Sequence, residues 1–153
     1  GGMPGFLGVT ASSMGSDQSK VVYISELGNR IFQYDVIKNE QADDLITYEP
    51  ESGDLVIAIT HSTNGDFYSI KANFRAGFSL CKHDPSSGSI SEQFELPGPG
   101  WASLCIAMDG KSAYMGNFFN GTMGRFNLTN GEMIASAETN LERSLAGIAQ
   151  FIG

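Results

Sequence analysis

The sequence predicts an all-β chain: a β-propeller segment of about three four-stranded blades plus the first strand of another. Short apolar packets, rich in β-branched and aromatic residues, are separated by Gly, Asn, Asp, Ser and Pro along the whole chain. That is how antiparallel strands joined by tight turns read. The packets also recur in order at a period of roughly 40–50 residues, which is the spacing of propeller blades. One four-stranded sheet cannot bury both faces by itself, whereas sheets stacked around an axis bury them against each other.

The elements follow in sequence. FLGVT (6–10) is the expected innermost strand of the first unit, followed by VVYIS (21–25), RIFQYDV (30–36) and DLITY (44–48). The breaks ELGN and IKNEQ separate them. After the turn EPESGD come LVIAIT (55–60), FYSI (67–70), FSLCKHD (78–84) and SISEQFEL (89–96). After PGPG come ASLCIAM (102–108), SAYMG (112–116), GTMGRFNL (121–128) and MIASAET (133–139). The expected blades span about 6–48, 55–96 and 101–139, with a new one starting at 142–152. Tyr23, Tyr68 and Tyr114 align at spacings of 45 and 46, and Tyr34, His83 and Phe126 at 49 and 43. Asp35, Asp84 and Asn127 then share one position, where a short polar side chain ends a strand by bonding the following turn.

The last segment has a competing reading. Thr139 and Glu142 fit a helical capping box, and Leu145, Ile148 and Ile152 lie at helical spacing. SLAGIAQFI nevertheless falls where the repeat expects an innermost strand, and a strand is the expectation adopted. Gly1 and Gly2, ahead of Met3, read as a cloning scar and are left out of the fold reading.

Composition narrows the function classes. The chain has 153 residues, 41% of them hydrophobic, and a mean hydropathy of −0.10, which describes a soluble globular protein. The formal charge is −8 and only nine Lys and Arg are present, scattered, so a phosphate-neutralising nucleic-acid surface is not expected. No apolar run reaches the length of a membrane span, and GGMPGFLG lacks the parts of a signal peptide, leaving cytoplasmic and secreted settings both open. Cys81 and Cys105 form no metal-spaced set, and buried free thiols are the expectation. Two glycosylation triplets start at Asn120 and Asn127.

The phrases VVYISELGNRIFQYDV, FSLCKHDPSSGSI and CIAMDGKSAYMGNFFNGTMGRFNLTNGE resemble the recurring unit of the six-bladed gluconolactonase, senescence-marker-protein and NHL-like propellers. The resemblance covers about residues 6–152. It implies a central channel with a site at its mouth and, in the lactonases of this group, a divalent cation, usually calcium, held by Glu, Asn and Asp at the starts of innermost strands. Such a cation would polarise a lactone carbonyl and activate water. Among the matching positions Asp54 and Glu142 are the candidate metal ligands, while the expected asparagines are missing.

Further candidates complete the set. Trp101, in PGPGWAS, could stack on a flat apolar ligand or pack between blades, and Arg143 could bind an anionic one. His61, ending the second inner strand, is the candidate general base, with Glu142 as a second catalytic group. His83 reads as a packing position. No GxSxG or phosphate loop occurs. The functional expectation is a cation-dependent lactone or ester hydrolase; the alternatives are a non-catalytic propeller that binds a small ligand or a protein, and a streptogramin-lyase-like propeller. Three blades leave two open radial faces, so the chain is expected to be part of a longer one or half of a dimeric ring.

Overall fold

The computed structural model describes residues 9–14, 18–25 and 28–138. Three antiparallel sheets follow one another, each a four-strand meander. Blade 1 holds β1 (Val9–Met14), β2 (Lys20–Ser25), β3 (Arg30–Asp35) and a fourth strand in two pieces, β4 (Glu40–Gln41) and β5 (Ile46–Thr47). Blade 2 holds β6 (Leu55–His61), β7 (Phe67–Asn73), β8 (Gly77–His83) and β9 (Ile90–Glu95). Blade 3 holds β10 (Trp101–Ile106), β11 (Ser112–Asn117), β12 (Thr122–Asn127) and β13 (Met133–Glu138). The first strands β1, β6 and β10 touch in series, so the blades are arranged as consecutive units of a partial β-propeller. Among the described residues no helix is long and apolar enough to cross a membrane; one 3-10 turn, Pro50–Ser52, leads into blade 2.

The repeat is visible in irregularities as well as in strands. Each inner strand carries a bulge next to its start, at Val9/Ala11, Val56/Ala58 and Trp101/Ser103, and such bulges bend and twist a strand locally. Each third strand ends on a side chain that accepts the amides of the next turn. Asp35 Oδ1 takes Ile37 N and Lys38 N, Asp84 Oδ1 takes Ser86 N and Ser87 N, and Asn127 Oδ1 takes Thr129 N at 2.7 Å. This is the strand-ending role expected of the three positions.

Three details differ from the sequence reading. The first inner strand runs over Val9–Met14, beyond the apolar packet FLGVT, of which residues 6–8 lie outside the described residues. Ala, Ser and Met have little strand preference of their own, and pairing with VVYIS recruits them. The fourth strand expected at 44–48 is split: Asp43 and Asp44 leave the ladder between the Ala42 and Leu45 amides, which still donate to Gln33 O and Ile31 O, and Gln33 Nε2 donates to Asp43 O across the gap at 3.0 Å. The tyrosine alignment slips by one residue. Val22 pairs with Gln33, Tyr68 with Lys82 and Tyr114 with Arg125, and each partner lies two residues before its strand-ending Asp or Asn. Val22, not Tyr23, is therefore the counterpart of Tyr68 and Tyr114. Side chains alternate faces along a strand, so the one-residue slip moves Tyr23 to the opposite face of its sheet.

The core consists of the two junctions. Val22, Ile24, Ile31 and Leu45 of blade 1 and its edge meet Val56, Ile59 and Phe67 of blade 2. Tyr68, Ile70, Ala72 and Leu80 on the other face of blade 2 meet Trp101, Leu104, Ala113, Met115 and Phe126 of blade 3. Each fully buried Leu, Ile or Phe contributes on the order of 1.5–3 kcal/mol, which is why sheets of this kind stack rather than stand alone.

Candidate functional site

Alternation of strand direction sorts the loops to two ends. Inner strands start at one end, where the loops between second and third strands also lie; they finish at the other, beside the turns between third and fourth strands. Asp54 and Trp101 belong to the first end and His61 to the second. A seven-residue strand at about 3.3 Å per residue separates Asp54 from His61 by roughly 20 Å. The structure does not bring these two candidates together. Glu142 and Arg143 lie outside the described residues.

At the first end, two asparagines hold the loops, a role their repeated phrase carried but the sequence reading did not single out. Asn73 Oδ1 accepts Arg75 N and Ala76 N, while its Nδ2 donates to Ser52 O and to Asp54 Oδ1, both at 3.0 Å. Asn117 Oδ1 accepts Phe119 N and Asn120 N, and its Nδ2 donates to Pro99 O at 2.9 Å. Both side chains are buried, and both tie the loop between second and third strands to the segment entering the inner strand. The signal was present as a repeated phrase, NFRAG at 73–77 and NFFNG at 117–121. Gly100 completes the second tie. With φ of 102°, it sits where a Cβ would fall 2.5 Å from Asn117 Oδ1 and 2.8 Å from the Phe119 ring.

These pinned loops present aromatic rings to solvent. Phe74, next to Asn73, is 66% exposed, and Phe119, two residues after Asn117, is 47% exposed. Phe74 leans edge-on against the buried Phe78 at 5.4 Å, which limits its motion. Trp101, by contrast, is only 2% exposed. Its Nε1 donates to Pro97 O at 3.2 Å and its ring meets Phe126 edge to face at 5.2 Å. The ligand-stacking role is thus corrected: the indole packs between blades, because the bulge at the start of β10 turns it into the junction.

Asp54 does not present a cation site. Its carboxylate accepts the Asn73 amide at 3.0 Å. The Asn73 oxygen is already taken by two backbone amides. Calcium takes about six to eight oxygen ligands, and here the partner shown for the carboxylate is an amide donor rather than a further oxygen. Among the described residues no group of three or more His, Cys, Asp and Glu is gathered. The described residues around Asp54 do not fit the calcium that the resemblance implies, and Glu142 lies outside them.

Burial disfavours the charged form of both histidines. Burial lowers the His61 pKa, and its ring lies 4.9 Å from Phe67. His83 is buried, and its pKa is also lowered by burial. Its Nδ1 lies 2.9 Å from Gly88 O, which requires the proton there, and its Nε2 then accepts Ser69 Oγ–H at 2.7 Å. A serine–histidine pair thus exists that the sequence did not suggest. Ser69 is 0% exposed and the pair lies inside the junction between blades 1 and 2, so it serves as a satisfied polar contact rather than a nucleophile. Cys81 beside it is fully buried, with its thiol pushed up to about 11 mainly by burial. Cys81 and Cys105 are both free.

No protein-family model and no curated protein sequence matches the chain. Among solved structures it is similar to Kuenenia stuttgartiensis hydrazine synthase, at a TM-score of 0.69 and 16% identity. The match covers 94% of this chain and 39% of that one, so the chain spans well under half of that structure's length. At this identity the likeness is one of fold.

Proposed function

We propose that the chain is a propeller segment, of the gluconolactonase and NHL-like kind in its architecture, that works by binding a protein surface rather than by hydrolysis. The observation that carries this reading is the pair of exposed rings, Phe74 and Phe119, on asparagine-pinned loops of neighbouring blades. Exposed aromatic side chains on a fixed support lose little conformational freedom on contact, which is the behaviour of interface anchors. Arg75, exposed beside Phe74, adds a cation of the kind enriched at interface centres. Lactone hydrolysis finds less support, because the Asp54 carboxylate accepts the Asn73 amide and His61 stands at the opposite end.

Peptides selected from a display library against the whole chain test the reading. Phe74→Ala with Phe119→Ala is expected to weaken selected binders about tenfold or more, since aromatic anchors at interface centres are each worth about 2 kcal/mol. Ile37→Ala, at the opposite end, is expected to leave them unchanged. Binders indifferent to the phenylalanines would count against the proposal. So would turnover of lactones that calcium restores after chelation.

A further inference from the structure

The register of the three blades identifies which faces the described residues use and which they leave uncovered. The face that blade 1 turns to blade 2 carries Val22, Ile24 and Ile31. The equivalent face of blade 2 carries Tyr68, Ile70 and Leu80, and blade 3 covers it. By the same pairing, Tyr114, Gly116, Met123 and Arg125 form that face on blade 3. Rather than being sealed, it holds an apolar depression of about 270 Å³ between Tyr114, Met123, Arg125, Ala135 and Ala137. The opposite leftover is the back of blade 1, where Tyr23, Phe32 and Tyr34 are all half-buried. Tyr23 stacks on Phe32 at 5.2 Å, and the two tyrosine hydroxyls are tied within the blade, to Gln41 and Asn39. Only ring faces remain to be offered.

The two leftover faces are matched in volume. At the filled junctions the receiving strand carries Ile24 or Ile70, and the incoming strand has Ser69 or Met115 opposite in the repeat, with Cys81 or Gly124 beside it. On blade 3 the isoleucine position becomes Gly116; on the back of blade 1 the other two positions become Tyr23 and Phe32. Bulk lost from one face is regained on the other. The exchange is what a third junction of the same kind needs, because interiors pack without voids. We propose that the blade 3 face of one chain receives the blade 1 face of a second copy, head to tail, so that two chains close one six-bladed ring. Each chain then uses both faces, and the two junctions are related by a two-fold axis.

Light scattering on the full chain after size exclusion is expected to give twice the 16.4 kDa chain mass at micromolar concentration. Ala137→Lys on the exposed edge of blade 3 and Tyr23→Lys on the back of blade 1 are each expected to halve that mass, with the strand signal in circular dichroism retained. An equimolar mixture of the two variants is expected to regain the two-chain mass, because one junction then joins two unaltered faces. A monomeric wild-type chain would overturn the proposal, as would open oligomers above two chains. A dimer that persists in either variant, or variants that fail to complement one another, would show a different interface. If a variant loses strand signal, a disulfide between Tyr23→Cys of one chain and Ala135→Cys of another replaces it; formation in the mixture supports the junction, and absence overturns it.

Discussion

The two junctions between blades occupy equivalent positions and are filled by different chemistry. Between blades 2 and 3 the position that ends the third strand's apolar run is Phe126, against Trp101, with Met115 beside it. Between blades 1 and 2 the same two positions hold His83 and Ser69, bonded to each other, with the Gly88 carbonyl taking the remaining ring nitrogen. Gly88 is confined there, since at φ 77° a Cβ would lie 2.3 Å from Leu45 O. The repeat therefore demands that the space be filled, and a polar pair suffices when both members are satisfied. Tyr48 is the unsettled part of the first junction: its hydroxyl is buried with no hydrogen-bond partner among the described residues, and burial raises its pKa.

The sharpest way to break the contrast is at the apolar junction. Trp101→Ala is expected to cost about 3–5 kcal/mol, as large-to-small changes of buried aromatics do. Denaturant unfolding reads this directly, and a loss under about 1 kcal/mol would mean that Trp101 does not hold blades 2 and 3 together.

The polar junction responds to a swap toward its counterpart. His83→Phe is expected to cost about 1–3 kcal/mol, because Ser69 Oγ and Gly88 O lose their partner. Adding Ser69→Ala is expected to recover part of that loss, since removing both partners leaves fewer groups unsatisfied. A double variant no more stable than the single would show that the two residues do not act as a pair.

Acid distinguishes the junctions more gently. Both histidines have folded pKa values below the ordinary 6.5, so the unfolded chain takes up protons that the folded chain refuses. Stability from these groups is complete above about pH 6.5 and is lost as pH falls below it, levelling off below the folded pKa. Unfolding midpoints at successive pH values should decline on the acid side, and His83→Phe should flatten that decline. An equally steep profile in the variant would assign the slope elsewhere. The smallest expected effect is chemical: iodoacetamide at pH 8 should alkylate the half-buried Cys105 and spare Cys81, whose thiol is both buried and protonated there. Peptide mapping that finds Cys81 modified first would contradict the closed first junction.

Much of the architecture was legible because it is written locally. Packets such as LVIAIT and turns such as STNGD announce strands and breaks without reference to the rest of the chain. Asp35, Asp84 and Asn127 were readable for the same reason, as each bonds amides only two or three residues on. The candidate site was far less legible. Asp54 was visible as a carboxylate at a strand start, but its meeting with Asn73 joins residues 19 apart in sequence. Trp101 looked available from its glycine-rich setting, and only the bulge and Phe126 reveal that it is enclosed.

Periodicity and turn chemistry are short-range, and among the described residues they suffice to specify strand order and the three-blade repeat, while the strand expected at 142–152 lies outside the described residues. Register and facing are long-range. A shift of one residue exchanges the two faces of a sheet, and only cross-strand pairing shows that Val22 rather than Tyr23 shares the place of Tyr68 and Tyr114. From that one shift follows the aromatic back of blade 1, while the buried serine–histidine pair and the division of the phenylalanines between core and solvent depend in the same way on contacts between strands and sheets. Their physical origin is packing between sheets, which no local stretch of residues encodes.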